Sequence, residues 1–380
     1  MLALTLTGCS RLRPKPPQQY VYVTAKQTFL RDRVAAVSNR VGTVENGEKL
    51  QVLERGRRFL RVQSEKGEQG WIDEKAVATQ EIFDQFGALK QQHQGDPTIA
   101  SAVVRDDVYL HSKPGRDTDR FYRLSEGEKL KLLRRATLPK PLPPGQRPPK
   151  PVAPADSGDK PAEEDKAETS VQPVQPMEDW WLVRDSKGDT GWLYSRMIDV
   201  DVPDSVARYS EGQRMVGAYV LTTVNDPDAP QDDKNIPIYV TVFGPYKAGL
   251  PYDFDQVRVF TWNIKKHRYE TAFRERNFEG YLPIEIKMAA DRYGKAPAAT
   301  APAPTFTYRV LSADAAPVVP DPVTGDIVPG RTVLKTYRLE GNVVRRILAP
   351  GETAPDVAHP EPIADKKKDL KKKGIAKKRH

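Results

Sequence analysis

Short stretches in which apolar and polar side chains alternate are the most regular feature of the N-terminal part of the chain. Leu50 and Val52, and then Leu60 and Val62, stand at every second position, which is the spacing of a strand with one buried face. Between the second of these strands and Trp71, residues 65–70 supply the glycines that a tight hairpin needs. The pattern predicts a series of short antiparallel strands.

The same pattern occurs twice along the chain. Residues 46–55 match residues 126–135, and residues 59–72 match residues 180–193 without a gap. Two blocks in the same order indicate a duplication. A copy of about 55 residues with this many turns suits a small closed or partly closed barrel, which leaves few exposed sheet edges.

The order of a Gly-Glu-Lys strand, a loop, a strand, a Lys-Gly hairpin and a Gly-Trp pair resembles bacterial SH3-type domains. Residues 110–115 of the second copy are also similar to the early loop of that family, whereas residues 30–35 of the first copy depart from it. The resemblance covers residues 20–79 and 100–200. It implies two non-catalytic modules that bind peptidoglycan stem peptides or partner proteins.

Four tryptophans of the two copies are candidate ligand-binding residues: Trp71, Trp180, Trp181 and Trp192. Trp71 and Trp192 have two interpretations, as core or rim residues that complete the barrel or as side chains that stack on a ligand. Neighbouring residues of a strand point to opposite faces, so we expect one of Trp180 and Trp181 to be exposed. An exposed tryptophan beside a barrel groove is the better ligand candidate.

Alternating apolar positions return from residue 214 onward and predict a third all-β domain over residues 214–349, either a β-sandwich or a barrel-like fold. Its eight predicted strands are 216–224, 236–243, 256–263, 267–274, 281–288, 306–311, 333–339 and 343–348. Helical patterns predict a connector at 80–99 and a short helix at 201–213. The predicted fold class is therefore mainly β, with two SH3-like barrels and this third domain.

Proline and charge mark the segments between these domains. The 380 residues include 34 prolines, nearly twice the usual share of about 5%. Many of them fall in residues 137–178, an insertion between two strands of the second copy that we expect to be disordered. The net charge is +9, and residues 365–380 hold nine basic and two acidic side chains. The rest of the chain is therefore close to neutral, and residues 350–380 are predicted to form a disordered basic tail.

The N-terminus resembles the signal of a bacterial lipoprotein. Residues 6–9 (LTGC) are similar to a lipobox, in which the chain is cut before a cysteine that becomes lipidated. The resemblance implies a signal remnant at 1–8, a lipid anchor on Cys9 and a Pro-rich tether at 9–19. Ser10, by the same resemblance, favours the outer membrane and a periplasmic orientation. The alternative is an ordinary N-terminus with a chance cysteine, and no run of about 18 apolar residues predicts a membrane-spanning helix.

Residues for most catalytic and metal chemistry are missing from the chain. It has one cysteine, its five histidines are scattered, and it contains no GxSxG motif. We therefore predict no cofactor, no metal site and no enzymatic activity. A pair of glycosidase carboxylates needs no local spacing and is not tested by this argument.

Together these features predict a non-catalytic cell-envelope lipoprotein that binds peptidoglycan or an envelope protein through tandem SH3-like domains. The alternative is a structural scaffold that docks other envelope proteins and has no affinity for the wall. A third hypothesis is a cytoplasmic protein that contacts nucleic acid through its basic tail.

Overall fold

The computed structural model describes residues 18–142, 175–245, 247–294, 297–351 and 353–360. Cys9, the central part of the predicted insertion and residues 361–380 lie outside them. This part of the chain is mainly β, as predicted, and contains three antiparallel sheets of seven strands each. Backbone packing separates two compact units. The first holds residues 18–92, 109–112 and 119–124, and the second holds the other described residues.

The first sheet carries the alternating pattern found in the sequence. It consists of β1 (Tyr20–Val23), β2 (Gln27–Arg31), β3 (Arg40–Glu45), β4 (Lys49–Arg55), β5 (Phe59–Gln63), β6 (Gln69–Asp73) and β7 (Val77–Thr79). These strands lie in the order β3-β2-β6-β5-β4-β1-β7. Leu50, Leu60 and Val62 belong to one buried cluster, and Val52 packs against it. The alternation therefore reports which side chains form the core of this sheet.

A helix packs against the first sheet. α1 (Gln80–Gln92) follows β7 directly, and its Phe86 is fully buried. The ring of Phe83 stacks on that of Tyr22 with 3.9 Å between the ring centroids. Because two stacked aromatic rings remove much apolar surface from water, the helix is fixed at the end of the sheet that β1 and β7 form.

The second sheet repeats the strand order of the first. It consists of β8 (Ala100–Val104), β9 (Val108–His111), β10 (Arg120–Leu124), β11 (Lys129–Pro139), β12 (Met177–Arg184), β13 (Thr190–Tyr194) and β14 (Ile198–Val200). Their order is β10-β9-β13-β12-β11-β8-β14, which is the order of the first sheet with every number raised by seven.

The hairpin of β11 and β12 extends into the predicted insertion. Thr137 pairs with Asp179, and Pro139 pairs with Met177 at the far end of the ladder. The prediction of a disordered insertion from 137 to 178 is therefore wrong at both of its ends, because the ladder orders residues whose composition alone does not favour a strand. Residues 143–174 lie outside the described part of the chain.

The third sheet runs up and down without crossovers. It consists of β15 (Met215–Asn225), β16 (Asn235–Phe243), β17 (Phe254–Asn263), β18 (Arg268–Ala289), β19 (Ala303–Leu311), β20 (Thr332–Glu340) and β21 (Val343–Arg346), paired in chain order. The two strands predicted at 267–274 and 281–288 are one long strand, β18, whose register shifts between Tyr281 and Glu285. The seven strands form one sheet paired in chain order, which is compatible with the barrel-like alternative.

Two short helices and a C-terminal segment complete the described chain. The helices are α2 (Asp204–Ala207) and α3 (Pro297–Thr300). The backbone N–H of Ala358 donates to the carbonyl oxygen of Leu311 at 2.9 Å, and Val357 forms a β-bridge with Ser312. Residues 357 and 358, which the sequence placed in the disordered tail, therefore pair with the chain at the end of β19. Among the described residues, no helix has both the length and the apolar character needed to cross a bilayer.

A buried arginine joins the second and third sheets. The side chain of Arg135, on β11, is 8% exposed and forms ion pairs with Asp179 at 3.3 Å and Asp253 at 2.9 Å. Its Nη2 also donates to the carbonyl oxygens of Leu250 and Tyr252, both at 2.8 Å. A charge at this depth is tolerated only when it is paired and hydrogen-bonded. These pairs of Arg135 persist only if the second sheet and the segment before β17 keep their relative positions.

We predict that Arg135→Ala lowers the free energy of unfolding by about 3–5 kcal/mol, because it leaves two buried carboxylates without their partner. Its neighbour Arg134 provides a matched control, since its side chain is 45% exposed and pairs with Asp326. Arg134→Ala is expected to cost about 0–1 kcal/mol. Urea denaturation followed by circular dichroism measures the free energy of unfolding of both variants. An equal decrease in the two would show that the buried Arg135 pairs do not stabilise the contact between the second and third sheets.

Candidate functional site

A row of side chains crosses four strands on the outer face of the first sheet. Trp71 of β6 lies directly opposite Arg31 of β2 on one side and Arg61 of β5 on the other. The row continues to Glu54 of β4, opposite Arg61. Both arginines are exposed and Trp71 is half-buried. Side chains at directly opposed positions lie about 4.5–5.5 Å apart at Cβ, so Trp71 has an arginine at the neighbouring cross-strand position on each side.

The two arginines of this row differ in their partners. Arg31 donates from Nη1 to the hydroxyl oxygen of Ser38 at 2.9 Å. Arg61 forms no ion pair within 4.0 Å in the part of the chain that the structure describes, although Glu54 is opposite it. The guanidinium of Arg61 is therefore available to an external anion, and a planar guanidinium suits carboxylate and phosphate groups.

Glycine next to the tryptophan fixes the position of this row. A Cβ atom on Gly70 would lie 2.8 Å from the Cβ of Leu30, 2.8 Å from the Cγ2 of Val41 and 3.0 Å from the carbonyl oxygen of Arg31. Only glycine therefore lets β2 approach β6 at this point. Since alternate residues of a strand face opposite sides, Gly70 faces inward and Trp71 faces outward.

The residue of the second copy that corresponds to Trp71 is buried. Trp192 lies opposite Leu182, where the first copy has Trp71 opposite Arg61. Trp192 is 7% exposed and Leu182 is fully buried. The two tryptophans were equal candidates in the sequence, and the structure leaves only Trp71 partly accessible.

The remaining two candidates are both buried, at 2% exposure for Trp180 and 3% for Trp181. The prediction that one of them lies outside is wrong, because both faces of β12 are covered. The ring of Trp180 packs against Tyr194 with 5.5 Å between centroids. Trp181 lines a small cavity in the second unit. The four predicted residues are thus not brought together in one site.

Sequence reasoning missed the two arginines of the Trp71 row. The sequence contained a signal for Arg61. Strand alternation places it on the outer face with Trp71, and the repeat shows a charged residue there where the second copy has Leu182. Arg31 carries no such signal, because its position beside Trp71 follows from the pairing of β2 with β6. Within the described residues, no group of three or more His, Cys, Asp or Glu side chains is arranged to hold a metal ion.

The comparison with known families applies to the sheet that carries this row. Residues 27–78 match the bacterial SH3 domain family. The matched segment includes Arg31, Arg61 and Trp71, and it associates the chain with the bacterial cell envelope and with a cell-wall-related function. No curated protein matches the chain.

Several solved structures are similar to the chain at low scores. NlpC1 from Trichomonas vaginalis has a TM-score of 0.15 and 9% identity over 52% of this chain, and the chain spans only 50% of NlpC1. NlpC2 from the same organism has a TM-score of 0.15 and 7% identity, over 70% of this chain and 98% of that one. An NlpC/P60 family protein from Bacillus cereus has a TM-score of 0.21 and 10% identity, over 70% and 100% of the two chains.

These similarities contradict the prediction that the chain is not an enzyme, since all three structures are NlpC or NlpC/P60 proteins. The prediction relied on missing local motifs, whereas catalytic groups meet through the fold and need no local spacing, so we do not maintain it. At these TM-scores the likeness identifies neither an activity nor catalytic residues.

We predict that Gly70→Ala destabilises the first unit by about 1–3 kcal/mol, because the added methyl group overpacks the contact between β2 and β6. Gly87→Ala is the control. A Cβ there meets nothing within 4 Å, and alanine is up to about 1 kcal/mol more favourable than glycine in a helix. Urea denaturation compares the two variants, and a Gly70→Ala protein as stable as wild type would show that glycine is not required for the approach.

Proposed function

We propose that the protein binds peptidoglycan at the cell envelope through the Trp71 row of its bacterial SH3 domain. The observation that supports this most directly is the half-buried Trp71 between exposed Arg31 and Arg61. Tryptophan and arginine are the residue types that most often dominate binding energy at interfaces. Peptidoglycan stem peptides carry carboxylates, which are suitable partners for the two guanidinium groups.

The row is suited to recognition because it is rigid before a ligand arrives. Its residues lie on paired strands over a fully buried core, so little conformational freedom is lost when a ligand binds. A Cβ on Gly56 would lie 3.4 Å from Cζ3 of Trp71, so the loop after β4 lies close to one edge of the ring. The indole on this rigid face presents an apolar surface between two arginines on neighbouring strands.

The second sheet does not supply the wall-binding surface in this proposal. Its strand order and its repeat blocks support the proposal that it is a second SH3-type domain in tandem with the first. Its matched tryptophan, Trp192, is buried, so we do not assign the same binding surface to it.

We predict that Trp71→Ala reduces retention on purified sacculi about tenfold or more, since the loss of a central aromatic contact costs about 2 kcal/mol. Arg61→Gln is expected to reduce it less and to reduce its salt dependence. Cosedimentation of the full chain at moderate salt measures both. Lys66→Gln, an exposed charge in the hairpin between β5 and β6, is the control for net charge.

Retention that is the same for Trp71→Ala and Lys66→Gln would rule out this surface. Absence of retention for the wild-type protein would rule out wall binding altogether and would direct the search to envelope proteins as partners. Melting curves of each variant show whether a lost interaction reflects a lost fold.

We also propose that the protein is held at a membrane by a lipid on Cys9, on the strength of its lipobox-like residues 6–9. Cys9→Ala is predicted to move the protein from the membrane fraction to the soluble fraction, because the acyl chains that hold it in the bilayer are lost. Ser10→Ala is the matched control. Unchanged fractionation of Cys9→Ala would remove the anchor from the proposal.

A further inference from the structure

A small cavity lies in the second unit, remote in sequence from the bacterial SH3 domain match. Its volume is about 170 Å³, well above the roughly 10–15 Å³ that a single water molecule needs in the same measure. Arg135 of β11 and Trp181 of β12 line it, together with residues between β13 and β14, around the start of β15 and after β16. The cavity therefore combines residues from five separate segments of the chain.

The lining carries more positive than negative charge. The basic side chains are Arg135, Arg196, Arg214 and Lys247, and the acidic side chains are Asp179 and Asp253. Both carboxylates already pair with Arg135. The other three cations form no ion pair within 4.0 Å among the described residues. The charge left for a ligand to neutralise is therefore positive.

Arg214 is the least exposed of these three cations. It donates from Nη2 to the carbonyl oxygens of Ser195 and Ile198, which are neutral acceptors. Burial lowers the pKa of Arg214 from its usual value, because desolvation disfavours a charged group. An anion in the cavity would offset that cost. Arg196 and Lys247 are exposed and give such an anion a route from solvent.

The remaining lining restricts what kind of anion fits. Trp181, Val216, Pro245 and Ala248 supply apolar walls, which favour a ligand with an uncharged body beside its charged group. An organic carboxylate therefore suits the cavity better than inorganic phosphate, which has no apolar body to place against these walls.

We propose that this cavity binds a small carboxylate ligand, of about the size of one amino acid residue, with its carboxylate held by Arg196, Arg214 and Lys247 and its body against Trp181. The site is separate from the Trp71 row in both residues and chemistry. It requires neither wall binding nor a lipid anchor.

The test uses N-acetylalanine as the probe and the full chain as the protein. The indole N–H resonance of Trp181, assigned with the Trp181→Phe variant, is followed by NMR during titration. We expect a saturable shift with N-acetylalanine and none with N-acetylalanine amide, which has the same shape without the charge. Inorganic phosphate at the same pH is expected to bind at least tenfold more weakly.

The matched variants change net charge equally. Arg196→Gln combined with Lys247→Gln removes two exposed cations of the cavity and is expected to weaken binding at least tenfold without a change in melting temperature. Lys265→Gln combined with Lys266→Gln removes two exposed cations of the β17–β18 hairpin and is expected to leave binding unchanged. Trp71→Ala is likewise expected to leave it unchanged, which separates this site from the proposed wall-binding surface.

Several results would overturn the proposal. They are no shift of the Trp181 resonance, an equal shift with the amide, equal weakening by the two double variants, and phosphate binding that matches or exceeds carboxylate binding. The last result would show a general anion site instead of a carboxylate site.

Discussion

The second unit depends on one buried charge. Arg135 is held between Asp179 of the second sheet and Asp253, which directly precedes β17 of the third, and none of the three side chains is more than 14% exposed. Thr137 and the backbone N–H of Gly249 donate to the same Asp179 at 2.7 and 3.1 Å. Because a buried ion pair loses its compensation if either partner moves, this cluster fixes the third sheet against the β11–β12 hairpin. The same cluster forms one wall of the cation-lined cavity.

The two repeats share one strand order but differ in whether the same sheet face is exposed. In the first, the outer face of β5 and β6 carries Arg61 and Trp71 and is open to solvent. In the second, the matched residues are Leu182 and Trp192, and both are buried. A single exchange of a charged for an apolar residue in a cross-strand pair accompanies this difference, as expected when a sheet face changes from solvated to covered. The face that is accessible in the first copy is therefore covered in the second.

The two candidate surfaces differ in geometry and in the ligands they suit. The Trp71 row is a shallow, rigid face with a tryptophan between two arginines on neighbouring strands, which suits an extended polymer. The cavity beside Trp181 is small and partly open to solvent, and three of its cations, which form no ion pair among the described residues, suit one anionic group. The bacterial SH3 domain match covers residues 27–78 and so supports the first surface, whereas the second depends on the third sheet. A chain with both could hold an envelope polymer and respond to a small ligand at separate places.

The sequence by itself determined the short strands, the duplication and the mainly β class, because alternation and glycine-marked hairpins are local properties of a strand. It also identified Trp71 as a candidate. Only the tertiary structure decided that Trp180, Trp181 and Trp192 are buried, that Arg31 and Arg61 flank Trp71, and that β18 is one strand instead of two. Burial depends on what covers a face, and that covering comes from residues far away in the chain. The cavity shows the same limit, since Trp181, Arg196, Arg214 and Lys247 meet only when separate strands have packed.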